Sequence, residues 1–464
     1  MTEPATTQRR PATAVEPGHA AQRKSAIRGG VLGYYADQFD IFLPIITLAP
    51  AMIYFQSETT SAATEAAIAA FVFASTLIAR PLGSAFFGQW ADRAGRRRPT
   101  LVAIAGFGIS VGAIALLPGF QHVGHWAIAM LIGLRFLGGF FLGGEYSTAV
   151  PLAMEWSPTR KRGLVSGLIT CTSPLANATI ALITLILLNT MTSNGIDSAY
   201  VQWGWRIPFL LGGVLAAATF VYYLTHVEES PEFDDDSDTG RHSAPTRSPL
   251  TQLIRGEYRT TLLQVFVLMS GAWLLTNLGT AVLPSTMRLQ LEVPSTTITP
   301  IMMISALITV ATFIGAAVLS QRIGRRRFYI GAGIAAAVIT PAAFLVLSTL
   351  DARNTVAIAL CAFTIQISTI SLYGPIAAYL TERFPAKIRA TGYGVGYSLA
   401  LVVPAFYAFY ISGLSDLFSE RAAVPILAVI GGCLVALGAT FGPETRDVDM
   451  RETDSSAMPA QVAH

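Results

Sequence analysis

Ionisable residues stand inside long apolar runs of this 464-residue chain, among them Asp37 and Asp40 within 29–55, Arg80 within 65–90 and Arg135 within 125–152. A charge near the middle of a bilayer costs about 2.5–3.5 kcal/mol on insertion scales, so it persists where it is paired or meets water. Asp37 and Asp40 are three residues apart and share one helix face. At about 1.5 Å per helical residue they lie roughly 12–17 Å into their run, Arg80 roughly 18 Å before Asp92, and Arg135 about 15 Å from the far end of its own run. Opposite charges on three segments therefore fall at similar depth. An aspartate beside an arginine favours its ionised form, whereas removal from water favours the neutral acid. A change in solvent access tips that balance, and the carboxyl takes up or releases a proton. Arg80 is suited to clamp a carboxylate, because a guanidinium binds one through a planar fork. The alternative is a buried ion network that fixes helix register and nothing else.

A second set of charges repeats. Asp92-Arg93-Ala94-Gly95-Arg96-Arg97-Arg98 returns 229 positions later as Gln321-Arg322-Ile323-Gly324-Arg325-Arg326-Arg327. Glu155 with Pro158 and Arg162 returns 227 positions later as Glu382 with Pro385 and Arg389. Two related halves explain both matches. Arginines alone would suffice to orient a membrane loop, but they need neither the acid nor Gly95. Gly88, Asp92, Arg93, Gly95 and Arg96, the pairs Glu155 with Arg162 and Glu382 with Arg389, and Glu145 are therefore expected at a gate on the cytoplasmic face. The second half offers Trp273, Asn277, Gln366, Tyr373, Tyr393 and Tyr397 without buried charge. Arg80, Arg135, Asn277, Gln366, Tyr373 and Tyr397 form the candidate substrate-binding set. Gly138, Gly139, Gly143 and Gly144 permit close helix approach, and Pro284, Pro375 and Pro404 are expected to kink their helices.

Other chemistry finds no support. His122 and His125 lack a third metal ligand nearby, and the acidic run at 234–238 lacks a calcium-loop pattern. No Gly-rich loop with lysine is present for a nucleotide phosphate. Cys171, Cys361 and Cys433 sit in apolar stretches as packing residues. No metal or cofactor is expected. The arginine clusters read as signals toward the lipid surface and not as a nucleic-acid interface.

These residues need elements that hold them in a bilayer. Hydrophobic residues make up 52% of the chain and charged residues 13%, about half the charge of an ordinary soluble domain. Mean hydropathy is +0.53. A soluble enzyme and a disordered chain are both excluded for most of this length. Twelve apolar segments are long enough to cross a membrane: 29–55, 65–90, 99–118, 125–152, 163–189, 204–226, 260–287, 298–320, 328–350, 354–381, 390–413 and 422–442. The longest polar interval, 227–259, divides them into two six-helix bundles, 29–226 and 260–442. Residues 1–28 read as a disordered tail without a secretory signal, and 443–464 as a second tail. With both termini inside, inner segments carry 25 of the 31 Lys and Arg residues. That bias predicts a multi-pass protein of the cell (inner) membrane with cytoplasmic termini.

The stretch Gly88-Gln89-Trp90-Ala91-Asp92-Arg93-Ala94-Gly95-Arg96-Arg97 resembles the loop signature of the major facilitator superfamily. Arg80-Pro81-Leu82-Gly83, Gly143-Gly144-Glu145, Gly204-Trp205-Arg206-Ile207-Pro208-Phe209, Glu229-Ser230-Pro231-Glu232-Phe233, and Tyr373-Gly374-Pro375 with Glu382-Arg383-Phe384-Pro385 resemble its metabolite:proton symporter group. The resemblance spans about 29–446. It implies an all-α membrane protein of major facilitator fold, not an enzyme. Such a protein imports a small polar metabolite, an organic acid or zwitterion, with protons by alternating access. It implies the proton gradient as energy source, Asp40 with Arg135 as the proton-coupling pair, and Asp37 sharing or orienting it. A working monomer is expected. Two departures stand out: Gln321 replaces the acid in the second loop copy, and the first span reads Asp37-Gln38-Phe39-Asp40 where the group more often has Glu-Trp-Tyr-Asp. A proton-driven exporter is the alternative within transport, although Cys171-Thr172-Ser173-Pro174-Leu175-Ala176 lacks the glycines of drug antiporters. A transporter-like sensor or channel is the alternative of another class.

Overall fold

The computed structural model describes residues 17–57, 62–193, 195–230 and 248–450. Among them, eleven helices are long and apolar enough to cross a membrane, and the 33-residue helix Ala62–Ala94 is the twelfth long element. In chain order they are α1 (Ala20–Phe55), α2 (Ala62–Ala94), α3 (Arg97–Ala115), α4 (Trp126–Glu155), α5 (Thr159–Thr190), α6 (Tyr200–His226), α7 (Arg259–Leu289), α8 (Ser295–Ile323), α9 (Arg325–Leu347), α10 (Thr355–Glu382), α11 (Ala386–Leu417) and α12 (Glu420–Thr440). Apolar runs of this length become helices because lipid satisfies no backbone N–H or C=O, so each segment must do so internally. Large apolar side chains such as Ile109, Val356 and Phe409 are more than 70% exposed, as a lipid-facing surface requires.

Two boundaries differ from the sequence reading. The first helix begins at Pro17, so part of the expected tail of residues 1–28 is helical. Proline suits a first helical turn, where its missing N–H leaves no bond unmade. The expected linker 227–259 contains a short helix, Pro249–Arg255. The Ser248 side chain caps it by accepting from the Thr251 N–H, and Leu253 is buried beneath it. The acidic run 234–238 and residues 451–464 lie outside the described residues.

Proline sets the breaks. Pro44 opens a π-helical turn, Leu43–Leu48, in α1, and Pro284 follows another, Leu278–Val282, in α7. Pro375 divides α10, and Pro404 divides α11. Each removes an N–H donor from the ladder and crowds the preceding turn.

Three buried clusters hold the molecule together. One lies inside the first bundle around Phe55, Trp205 and Phe209. A second lies inside the second bundle around Leu283, Met287 and Phe344. The third joins the bundles, packing Tyr34, Tyr146 and Val165 of the first against Val265, Phe384, Tyr393 and Tyr397 of the second. It lies toward the face that carries the arginine-rich loops. On the opposite side the outer part of α11, Tyr407–Leu417, has no buried side chain. The bundles are therefore closed on the arginine-rich face, whereas this outer part of α11 packs no side chain into the interior.

Candidate functional site

The buried charges meet where α1, α2 and α4 come together. Arg80 Nη2 donates to both carboxylate oxygens of Asp37, at 2.8 and 2.9 Å. Asp37 also accepts from Gln38 Nε2 at 2.9 Å, and Gln38 Oε1 accepts from Ser173 Oγ on α5 at 2.7 Å. One turn along α1, Arg135 Nη1 donates to both oxygens of Asp40, at 2.9 and 3.0 Å. All four side chains are at most 3% exposed. Arg135 Nε and Nη2 are buried without a partner among the described residues, so that guanidinium is half used.

Glycine brings the two arginines this close. A Cβ on Gly143 of α4 would fall on the carbonyl oxygen of Arg80, and one on Gly139 on that of Thr76. α4 therefore lies with its backbone directly on α2, the close approach expected from the glycine spacing. Gly138 shares none of this role, since its nearest neighbour would be Ser110 Cβ at 3.7 Å.

Glu145 is not where the sequence reading put it. Among the described residues it joins no ion pair at the arginine-rich face. It is fully buried beside α1, where a Cβ on Gly33 would collide with its Oε1. The correction follows from helix direction: α4 runs toward the arginine-rich face and crosses α1 before reaching it. The gate begins ten residues further on, at Glu155.

Aromatic rings from both bundles floor the charged cluster. Tyr146 of α4 packs against Tyr397 and Tyr393 of α11 with centroids 4.1 and 4.9 Å apart, and against Tyr34 at 5.6 Å. Trp273 lies 5.1 Å from Tyr397 and 5.5 Å from Tyr373. Ser84, one turn past Arg80, pairs with Ser398 at 2.9 Å across the bundles. Asn277 and Gln366 serve the second bundle itself: Asn277 Nδ2 donates to the Pro404 carbonyl at 2.8 Å, and Gln366 Nε2 to that of Gly279 at 2.9 Å. Asn277 is half-buried and Gln366 buried.

Below this floor is a charge latch. Asp92, at the end of α2, accepts from the backbone N–H groups of Ala390 and Thr391, each at 2.9 Å, and from Thr391 Oγ1 at 2.7 Å. These N–H groups open the helical part of α11, where an anion is favoured. Arg96 binds Asp92 at 3.1 Å, Glu155 at 2.7 Å and the Ala386 carbonyl of the other bundle at 3.1 Å. Glu155 also takes Arg389 from the other bundle at 2.8 Å. Gly88 lies flush with Thr391. The second copy has a different make-up. Gln321 accepts from the Gly163 N–H across the bundles at 2.8 Å and from Arg325 at 2.8 Å, while Arg325 pairs with Glu382 at 3.2 Å. The pairing differs from the expected Glu155 with Arg162 and Glu382 with Arg389: Arg389 crosses to Glu155 of the other bundle, and Glu382 takes Arg325. Arg162 donates to the Val448 carbonyl at 2.6 Å, and Arg389 to that of Met450 at 3.1 Å. Arg93 is a correction: it is exposed on the last turn of α2 and joins no bond among the described residues.

Two acids outside the sequence-derived set hold the latch in shape. Glu229 accepts from the N–H groups of Arg96 and Arg97 at 2.7 and 3.0 Å, and Glu444 from those of Arg325 and Arg326 at 2.7 and 3.2 Å. Gly95 and Gly324, at φ +87° and +101°, make the turns that present these groups. Glu-Ser-Pro at 229–231 and Pro-Glu-Thr at 443–445 were the available signal. The hydrogen bonds between bundles named above fall between the charged cluster and the arginine-rich face.

A sequence model of the Major Facilitator Superfamily matches residues 32–408. The inner membrane metabolite transport protein YhjE of Escherichia coli K12 is 28% identical over 440 residues, covering 91% of this chain and 95% of that protein. The shikimate transporter of Escherichia coli K12 is 28% identical over 422 residues, covering 90% and 93%. The solved proton:xylose symporter XylE bound to 6-bromo-6-deoxy-D-glucose shares the fold, with a TM-score of 0.73 at 18% identity over 92% of this chain and 97% of that one.

Proposed function

The chain belongs to the Major Facilitator Superfamily, and from that premise we propose that it imports a small carboxylate-bearing metabolite, an organic acid or zwitterion, together with protons. It is a multi-pass membrane transporter, as its relatives are. The arginine-rich face is the cytoplasmic one in this reading, because the loops there carry Arg96, Arg97, Arg325, Arg326 and Arg389 and basic loops stay inside.

One observation carries the reading: the Asp37–Arg80 pair, buried between helices beside the tyrosines that join the bundles. Asp37 and a substrate carboxylate compete for one guanidinium. While Asp37 is ionised it holds Arg80. When it takes a proton from the open side, its grip weakens and Arg80 is released to the substrate. Proton and anion then enter together, because either alone leaves a buried charge unpaired. The Asp40–Arg135 pair, one turn away, shares in the coupling by holding this cluster in place, and Asp37 is the group that carries the proton. The spare Nε and Nη2 of Arg135 are available to the same ligand, with Trp273, Tyr373 and Tyr397 bounding it from the other bundle. Shikimate, the substrate in one relative's name, is a carboxylate and fits this chemistry. Alternating access follows from separating the latch and closing the opposite side.

The test is uptake into liposomes that contain the purified full chain, with shikimate, 2-oxoglutarate and glycine betaine as probes. A probe that is carried should alkalinise the outside. R80A should abolish its saturable uptake, and D37N should retain exchange but lose accumulation driven by a pH gradient. Acidification of the outside would establish export instead. Proton-driven accumulation by D37N equal to wild type would remove Asp37 from the coupling.

A further inference from the structure

Glu145 is the buried acid that the exchange at Arg80 leaves unused. Its side chain has no solvent exposure, and neither carboxyl oxygen has a hydrogen-bond partner among the described residues. A packing role needs no such head group. An ionised carboxylate without a donor is among the costliest groups to bury, so a carboxyl in this place holds a proton.

Its position is equally specific. Gly33, against which the carboxyl is pressed, is one turn before Asp37 on α1, or about 6 Å along the axis. Glu155 of the latch is ten residues beyond Glu145 on α4, or about 15 Å. Glu145 thus lies between the substrate-level pair and the gate. The titratable and charged groups facing it are Asp37 of α1, Arg80 of α2, Tyr223 of α6 and Tyr393 of α11. Tyr146, next to it on α4, packs its ring against Tyr393 and Tyr397 on α11 of the other bundle. Parting the bundles on the arginine-rich face withdraws Tyr393 and exposes this spot.

We propose that Glu145 is a second proton-carrying residue, which passes the symported proton from Asp37 to the arginine-rich face. This rests on the proton-symport reading above. In the state seen here Glu145 is the neutral acid and Asp37 is ionised on Arg80. After Asp37 has taken a proton from the open side and the bundles have rocked, Glu145 gives its proton to water at the arginine-rich face. The resulting carboxylate is transiently hydrated. It then takes the proton from the Asp37 carboxyl, Asp37 pairs with Arg80 again, and the substrate carboxylate leaves. One proton enters, one departs, and both acids return to their starting states.

The test compares wild type with E145Q in liposomes, using whichever of shikimate, 2-oxoglutarate and glycine betaine the wild type accumulates. A one-proton symporter concentrates its substrate roughly tenfold per unit of pH gradient. E145Q should concentrate none and move no proton, yet exchange labelled for unlabelled probe. Its infrared spectrum at neutral pH should lack a protonated-carboxyl band that wild type shows. Wild-type coupling retained in E145Q overturns the assignment while leaving symport intact. If wild type moves no proton with any probe, the symport reading falls first and this assignment with it. Should E145Q fail to fold, wild-type protein in membranes decides: dicyclohexylcarbodiimide, which attacks protonated carboxyls in apolar surroundings, should modify Glu145. An unmodified Glu145 would overturn the proposal.

Discussion

Replacing Asp92 by asparagine should release the arginine-rich face. The Asp92 carboxylate accepts three bonds from the start of α11, at 2.7–2.9 Å, and one from Arg96 at 3.1 Å. Asparagine keeps one acceptor oxygen and turns a donor NH2 toward N–H groups it should accept from. At least one charge-assisted bond is lost, about 1.5–3 kcal/mol, along with the anion at a helix start, about 0.3–1 kcal/mol. Part of this is returned, because asparagine is less costly to bury. A net of about 2 kcal/mol remains, a shift of roughly 30-fold toward the state open on that face. Cys171, Cys361 and Cys433 would first be replaced, and a reporter cysteine placed at Ser398, which is 3% exposed in the closed interface. Its reaction with a soluble thiol reagent measures the open fraction. The loss of the Ser84–Ser398 bond is common to both proteins and cancels. D92N should raise the labelling rate by the factor above. An unchanged rate would show that Asp92 does not hold the bundles together, and the reasoning about the latch would fail.

Three further outcomes follow from the same contacts. Q321D should strengthen closure, since an acid there would meet the Gly163 N–H and Arg325, both at 2.8 Å from the present amide oxygen; slower turnover with unchanged probe affinity is the expected result. D40N should cost about 3–5 kcal/mol by stranding a buried arginine, and D40N/R135Q should recover most of it, with thermal unfolding of the purified proteins as the measure. G143A should lower the melting temperature by forcing α4 off α2, where its Cβ would strike the Arg80 carbonyl, whereas G138A, with its nearest neighbour at 3.7 Å, should not.

The spans and their buried charges were legible because lipid penalises both unsatisfied backbone and unpaired charge. Asp37, Asp40, Arg80 and Arg135 could be singled out from depth alone, and depth was enough to bring them together. Depth says nothing of azimuth. Glu145 lies on the same helix as Glu155, and sequence could not tell that one faces Gly33 and the other Arg96. Arg93 and Arg96 are three apart in one basic loop, yet one is exposed and the other buried among acids. Gln366 looked free for a ligand because its partner is a backbone carbonyl, which side-chain identity does not reveal. Glu444 escaped for a similar reason, since it binds the N–H groups of Arg325 and Arg326 and not their charged ends.

The make-up of the closed face bears on how it opens. Had the two bundles met there through apolar packing alone, separation would expose greasy surface at about 25 cal/mol per Å², and the closed state would be a trap. Below the tyrosine floor the contacts include, beside apolar side chains, Asp92, Arg96, Glu155 and Arg389 with backbone groups of Ala386, Ala390 and Thr391. Water replaces most of those bonds once the bundles part, so the difference between closed and open is a small residue of large terms. A gap of a few kcal/mol is what a bound substrate and a moved proton can overturn, since a ligand shifts two states only by its differential affinity for them. The same logic explains why the pair at the centre must be polar as well: Arg80 can pass from Asp37 to a substrate carboxylate only if both partners offer it similar charge and similar geometry.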